Sequence, residues 1–273
     1  MQVVVPSRVF EEMGLTLRGA LRRLGYRAEA VTRPVAGAGP ALVLGAQLLA
    51  PPELRALAPG SVLYNLEPLD PAAPWLTPPV RAAFRERPVW DYSRRNCRTW
   101  AGLGVAGPLR VPVGYVPELT RIPPTGAEDI EVLFYGTPNP RRLQVLEALR
   151  ARGVRVAAAF GVWGPARDAL IARARLVLNI HYHPVRIFEV VRVSYLLANR
   201  KAVVTECDPD TELDEDLRGA VRAVPYEGLV EACRELLANP AARRELGERG
   251  LAAMAARDET VLLARALAGR ETD

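Results

Sequence analysis

Residues 130–180 read IEVLFYGTPNPRRLQVLEALRARGVRVAAAFGVWGPARDALIARARLVLNI. Three apolar runs in this stretch, at 130–135, 154–160 and 176–180, are too short to be helices, and helical spacing fills 140–152 and 165–174 between them. Toward the C-terminus the pattern continues with a helix over 187–199, strands over 202–205 and 220–224, and helices over 227–238 and from 241 to 256 or beyond. Asn239-Pro240 marks the break between the last two helices. Apolar strands that alternate with helices are buried on both faces, which predicts a parallel, doubly wound sheet.

Toward the N-terminus the alternation is less regular. Short apolar runs stand at 3–5, 41–45, 62–66 and 89–92, with a helical stretch near 8–24. Prolines and glycines crowd 33–40, 50–59 and 68–79 and keep the intervening helices short. Residues 109–129 carry four prolines and two glycines with neither helical nor strand periodicity, which is the signature of a link. The expected architecture is α/β: two Rossmann-like domains facing a cleft, the N-terminal one reduced. The expected boundaries are 1–118 for the first domain, 119–128 for the linker and 129–273 for the second.

A chain of 273 residues that is 49% hydrophobic and 25% charged is of globular composition, long enough for two such cores. The net charge of +5 permits a polyanionic partner without demanding one. Lys201 is the single lysine among 36 basic residues, so most of the arginine is compositional. Cys97, Cys207 and Cys233 are widely spaced and include no CxxC, which supports neither a disulfide framework nor a thiolate zinc site and fits a reducing cytoplasm. The N-terminal stretch lacks the basic and long apolar regions of a signal peptide. No stretch approaches the roughly 18 apolar residues that span a bilayer. A cytoplasmic protein is expected.

Ligands of doubly wound folds bind outside the carboxyl ends of the strands, so the residues that follow each strand are the candidates. After 130–135 comes a glycine turn, Gly136-Thr137-Pro138-Asn139-Pro140-Arg141-Arg142, that runs into a helix. Helix N-termini attract anions, and two arginines in a first turn are unfavourable unless an anion neutralises them. Gly136, Asn139, Arg141 and Arg142 are therefore phosphate candidates, with simple capping by Asn139 as the competing account. Trp163, after the next strand, stacks on a planar base or covers the sheet edge.

The following strand ends in His181-Tyr182-His183-Pro184-Val185-Arg186, which holds the chain's two histidines. His181 and His183 point the same way on an extended segment, compatible with a metal pair, yet no third ligand follows at the usual spacing. No metal is expected, and hydrogen bonding to a diphosphate or sugar hydroxyl competes with a structural loop role. Arg186, Glu189 and Arg192 recur at three-residue steps on the next helix, either as an ion-pair ladder or as a diol-binding carboxylate flanked by cations. Glu206 ends the strand at 202–205 and is a further donor candidate, whereas the acidic run 208–217 reads as solvated loop. In the first half, Glu67 and Asp91 end strands and are the candidate general bases. Ser93-Arg94-Arg95-Asn96 opens a helix there, as an anion site or a plain Ser93 cap.

Taken together, 130–136 with its Arg-Arg helix, LIARARLVLNIHYH, RIFEVVRVSYLLANRKAVVTE and LVEACRELLANPAARRELGERG resemble the donor-binding C-terminal half of GT-B-fold glycosyltransferases over roughly 129–257. The RIFE segment resembles the arginine–x–Phe–Glu of the spore-maturation-like bacterial members, which assigns the sugar-nucleotide contact to Glu189. The spacing from Glu189 to Ala202-Val203-Val204 is longer than is usual in that family, and Ala202 replaces a proline. A second register therefore places Tyr195 at the family's glutamate position.

The resemblance implies a hexosyltransferase that moves a sugar from a nucleotide-diphosphate donor, without a metal ion or cofactor, to an acceptor hydroxyl or amine on a glycan, protein or small molecule. Arg141, Arg142 and His181 then meet the diphosphate, and Glu67 or Asp91 serves as base. Two other readings stand beside it. One is a GT-B-like binding or scaffold protein without activity; the other is a sugar transferase acting on nucleic acid, for which the arginines of 81–98 are weak support.

Overall fold

The computed structural model describes residues 1–183 and 185–271; Pro184, quoted above within HYHPVR, lies outside the described residues. The chain divides into two compact units, Met1–Glu118 with the segment from Arg257 onward, and Leu119–Ala256. Each is an α/β layer around a parallel sheet. Among the described residues, no helix is long and apolar enough to cross a membrane.

In the first unit the strands are β1 (Gln2–Val4), β2 (Glu29–Val31), β3 (Ala41–Leu44), β4 (Val62–Asn65), β5 (Val89–Asp91) and β6 (Leu109–Arg110). They pair in the order β2-β1-β3-β4-β5-β6, all parallel. The helices are α1 (Glu11–Arg23), α2 (Pro51–Arg55), α3 (Pro78–Glu86) and α4 (Arg94–Gly102). α1 lays Met13, Leu17, Ala20 and Leu21 on the sheet, and Gly14 permits the approach: a Cβ there would stand 2.6 Å from Val5 Cγ2. Under the sheet, Phe84 stacks on Trp100 at 4.3 Å between ring centroids.

The second unit holds β7 (Ile130–Tyr135), α5 (Pro140–Ala151), β8 (Val156–Ala159), α6 (Gly164–Arg173), β9 (Ala174–Asn179), α7 (Val190–Ala198), β10 (Val203–Glu206), β11 (Arg222–Val224), α8 (Leu229–Ala238) and α9 (Pro240–Ala255). The strand order is β11-β10-β9-β7-β8, again all parallel. Val132, Phe134, Leu176, Leu178 and Val204 are buried beneath α5 and α8 through Leu146, Leu149, Leu229 and Leu236.

The chain departs from the expected boundaries at both ends of the second unit. Residues 119–122 are held on α7 rather than spanning loosely: Asn199 Oδ1 accepts from the amides of Arg121 (2.9 Å) and Ile122 (2.8 Å), and Thr120 donates to Ala198 O. The last helix, α10 (Glu259–Leu267), belongs to the first unit, not the second. A parallel bridge joins Tyr115 to Asp258, with the Tyr115 amide donating to Arg257 O at 2.7 Å and the Glu259 amide to Tyr115 O at 3.0 Å. Leu263 and Ala266 are buried there.

The two sheets share one topological feature. In each, the chain places its first strand between its second and third, so the direction of winding reverses between β1 and β3 and again between β7 and β9. The carboxyl ends of two strands that diverge in this way leave an open crevice, where open α/β sheets bind ligands.

Candidate active site

The crevice of the second sheet opens between Tyr135-Gly136, after β7, and Asn179, which ends β9. Asn179 is fully buried and organises the site. Its Nδ2 donates to Glu189 Oε2 at 2.8 Å and to Thr205 Oγ1 at 3.0 Å, while its Oδ1 accepts from Arg192 Nη1 at 3.3 Å. A polar residue directly after the apolar run Leu176-Val177-Leu178 is the sequence signal that could have singled it out.

Glu189 is not inside a helix. It is the residue before α7: the bridge between Ile187 and Glu212, with the Phe188 amide on Glu212 O, keeps the chain out of the helix, and a tight turn closed by the Val190 amide on Phe188 O follows. The Arg186–Glu189–Arg192 ladder expected from helical spacing therefore does not form: Arg186 turns instead to Asp208 at 2.7 Å and Asp210 at 3.9 Å. The acidic run after β10 is thus partly a counter-charge for Arg186.

His181 faces Glu189, with Nδ1 3.0 Å from Oε1 and 3.1 Å from Oε2. Burial opposes charge on the imidazole, but the bond to Glu189 and the charges of Glu189 and Glu206 outweigh it and hold His181 above its ordinary pKa. Burial likewise opposes charge on Glu189; the His181 bond and charge, with Arg192 and Asn179, hold it below the ordinary value. The two shifts agree in direction: each partner favours the charged form of the other. Glu189 keeps 17% of its side chain exposed, and the bonds from His181 and Asn179 leave part of its lone-pair capacity unused.

The remaining second-unit candidates are mostly engaged within the chain. Gly136 donates its amide to Ala159 O at 3.1 Å, and Asn139 caps α5 by accepting from the Arg142 amide at 2.8 Å, so the turn is not an open anion cradle. Arg142 is buried and donates to Ile180 O at 3.1 and 2.5 Å and to Thr137 O at 2.7 Å. Its burial, with the charge of Arg192, lowers its pKa to about 10. Arg142 therefore ties the two rims of the crevice together rather than waiting for a phosphate. Arg141 donates from both Nη atoms to the buried carboxylate of Glu206, one bond at 2.6 Å, and lies 3.8 Å over the Tyr226 ring. Glu206 also accepts from the His181 amide at 3.0 Å, which leaves it a bracket for the loop rather than a donor contact.

Among the rest, His183 is exposed, edge to face with Tyr182 at 5.0 Å. Trp163 is half-buried at the start of α6, beyond the edge strand β8. Tyr195 lies elsewhere, its hydroxyl donating to Asp168 Oδ2 at 2.9 Å and accepting from Arg121 Nε at 2.8 Å. Of the two registers the sequence allowed, the one with Glu189 is the one that reaches the crevice. Among the described residues, no three His, Cys, Asp or Glu side chains gather as a metal cluster.

In the first unit, Asp91 is fully buried and each carboxylate oxygen accepts two hydrogen bonds: Oδ1 from the Ser93 amide and Asn96, Oδ2 from Asn65 and Trp100, all at 2.7–3.0 Å. Burial raises its pKa to about 7 despite those four donors. Asp91 therefore does not face a cleft as expected of a base: it is fully buried and both its oxygens are held by donors of its own unit. Glu67 is half-buried, its backbone carbonyl accepting from Asn65 and Asn96. Ser93 caps α4 by accepting from the Asn96 amide at 3.0 Å, in line with the plainer of its two readings.

No family model matches the chain. Two curated relatives, both uncharacterized proteins of Acanthamoeba polyphaga mimivirus, are 30% identical over 106 and 112 residues, or 38% and 40% of this chain. The matched stretches span only 12% and 37% of those proteins. Among solved structures, Anabaena HepE in complex with UDP-glucose aligns with 98% of this chain and 98% of its own at a TM-score of 0.64 and 13% identity. Sucrose-phosphate synthase from Thermosynechococcus elongatus aligns with the same coverage of both chains at 0.58 and 13%. WaaG, a glycosyltransferase of lipopolysaccharide biosynthesis, covers 97% of both chains at 0.60 and 14%. At such identities the likeness concerns architecture: the chain has the two Rossmann-like domains of the GT-B glycosyltransferases.

Proposed function

We propose that the chain is a glycosyltransferase that takes a sugar from a nucleoside-diphosphate donor, seated at the carboxyl ends of β7 and β9, and passes it to an acceptor hydroxyl or amine. The observation that carries this reading is the Glu189–His181 pair, held by Asn179 at the point where the second sheet of a GT-B fold reverses. An ionised Glu189 with spare lone pairs accepts hydrogen bonds from donor hydroxyls. HepE, whose structure resembles this one, has been solved with UDP and with UDP-glucose, which supports a nucleotide sugar as the ligand here.

In the reaction, the bond between the anomeric carbon and the β-phosphate oxygen breaks and its electron pair stays on the diphosphate. The acceptor oxygen or nitrogen forms the new bond and gives up a proton. Side-chain cations stabilise the leaving group in this reading, so no metal is required. Glu67 is the base retained for a hydroxyl acceptor, Asp91 being fully buried.

A thermal-shift screen of UDP-, GDP-, ADP- and dTDP-sugars tests the reading, because a ligand of the native state raises Tm. One donor class is expected to stabilise the protein with EDTA present, and Glu189→Ala to abolish that stabilisation and the accompanying hydrolysis or transfer. Absence of a shift with every donor, or a shift that depends on added divalent cation, overturns it. The occupied Asp91 favours a second reading, a donor-binding protein without turnover; a nucleotide sugar that binds but is neither hydrolysed nor transferred would select that one.

A further inference from the structure

Four arginines stand near the crevice of the second sheet, and the structure separates them by what already satisfies them. Arg141 is spent on Glu206, Arg142 on the carbonyls of Thr137 and Ile180, and Arg186 on Asp208 and Asp210. Arg192 differs. Among the described residues no carboxylate lies within 4.0 Å of its guanidinium, and a single hydrogen bond, the 3.3 Å contact from Nη1 to Asn179 Oδ1, engages one of its five N–H donors. Its exposure is intermediate, so the group is partly desolvated, and Glu189, whose charge it stabilises, stays beyond ion-pair distance.

Its place is equally specific. The guanidinium carbon is 5.6 Å from the centroid of the Tyr135 ring, the last residue of β7, and Nη1 reaches Asn179, the last residue of β9. The cation therefore sits in the gap where the two strands diverge. Gly136 keeps that gap open: its φ of 135° favours glycine, and a Cβ built on it would stand 2.9 Å from Arg192 Nη2. Asn179 donates to Glu189 from its amide nitrogen and accepts from Arg192 at its amide oxygen, which fixes an anionic hydrogen-bond acceptor and a cationic donor side by side.

We propose that Arg192 is the side chain that grips the diphosphate of the donor, in the seat that Gly136 leaves open between β7 and β9. This inference rests on the donor reading above. The planar guanidinium presents its remaining donors as a fork that matches two phosphate oxygens, a geometry a lysine cannot reproduce. The role expected for the Arg141-Arg142 pair thus passes to a residue on α7, and that pair instead shapes the loop around it.

Calorimetry with UDP, GDP, ADP and dTDP, each run against its parent nucleoside, tests the assignment in wild type, Arg192→Gln and Arg192→Lys. For whichever diphosphate the wild type binds, Arg192→Gln is expected to weaken affinity about 10- to 100-fold while the nucleoside binds both proteins equally. Arg192→Lys is expected to recover only part of the loss, and the salt dependence of diphosphate binding to fall in the Gln variant. Both variants should melt within a few degrees of wild type, since only one long hydrogen bond is lost. Equal diphosphate affinity in wild type and Arg192→Gln overturns the inference and leaves the donor reading standing. Failure of the wild type to bind any of the four overturns the donor reading and the inference with it.

Discussion

His181 and Glu189 form an ion pair across the mouth of β9, Nδ1 standing 3.0 Å from one carboxylate oxygen and 3.1 Å from the other. The histidine is held above its ordinary value of 6.5 and the glutamate below its ordinary 4.5. A raised histidine contributes stability that is complete below 6.5 and is lost as pH rises through its folded value. A lowered glutamate contributes stability that is complete above 4.5 and is lost as pH falls through its own folded value. The pair is therefore at full strength between about 4.5 and 6.5. His181→Gln should destabilise the protein by about 1–3 kcal/mol in that window and by less as pH rises above it. Urea melts of both proteins from pH 5 to 9 check this; a gap that does not shrink with pH would sink the ion-pair assignment.

Arg142 carries a structural charge. Its three hydrogen bonds end on Thr137 O and Ile180 O, so removing the guanidinium leaves two inward carbonyls without that partner. Arg142→Met should cost about 2–4 kcal/mol, whereas Arg192→Gln should cost under 1 kcal/mol. Equal stability of the two variants in urea would contradict the division of labour between these arginines.

The junction of α7 and α9 is set by one backbone carbonyl. Among the described residues Arg200 is the non-glycine residue with positive φ, at 55°, and it closes α7 in a Schellman turn: the Lys201 amide donates to Leu196 O and the Arg200 amide to Leu197 O, both at 3.0 Å. α9 then packs against this turn through Gly247, where a Cβ would lie 2.3 Å from Arg200 O. Gly247→Ala should lower stability by about 2–4 kcal/mol because backbone must move. Arg200→Gly should raise it by up to about 1 kcal/mol, since glycine adopts the left-handed conformation without strain. Thermal melts that order the three proteins differently would refute this account of the junction.

How much of this was legible beforehand follows from the range of the interactions. β7, β9 and β10 announced themselves because strands buried on both faces must be continuous apolar runs, and their ends directed attention to His181 and Glu189. β2 escaped because Glu29–Val31 lies at the sheet edge with little burial, and β6 because two residues inside a proline-rich stretch carry no periodicity. The return of α10 to the first unit was invisible: a helix with buried Leu263 and Ala266 reads the same whichever unit it covers. The same limit applies to the site. Asn179 and Arg142 acquire their roles from β7 pairing with β9 across more than forty residues, and no local pattern encodes that a buried arginine will end on the carbonyl of Ile180.

Glu259 makes the strongest demand on the solvent. It is fully buried at the start of α10, with Oε2 accepting from the Gly114 amide at 2.9 Å and Oε1 without a hydrogen-bond partner among the described residues. Burial, reinforced by the nearby charge of Asp258 and only partly offset by the Gly114 bond, raises its pKa from 4.5 to about 8. The folded protein therefore holds a proton there that the unfolded chain releases above 4.5. Stability is full below 4.5 and falls as pH rises to about 8, by an amount on the order of a few kcal/mol. Glutamine keeps the acceptor for Gly114 and carries no charge, so Glu259→Gln should match wild type near pH 5 and exceed it near pH 9. Asp91, raised to about 7 for the same reason, remains in both proteins, and its slope cancels in the difference between them. Urea titrations at the two pH values give that difference directly; parallel curves for wild type and variant would show that Glu259 is ionised in the fold.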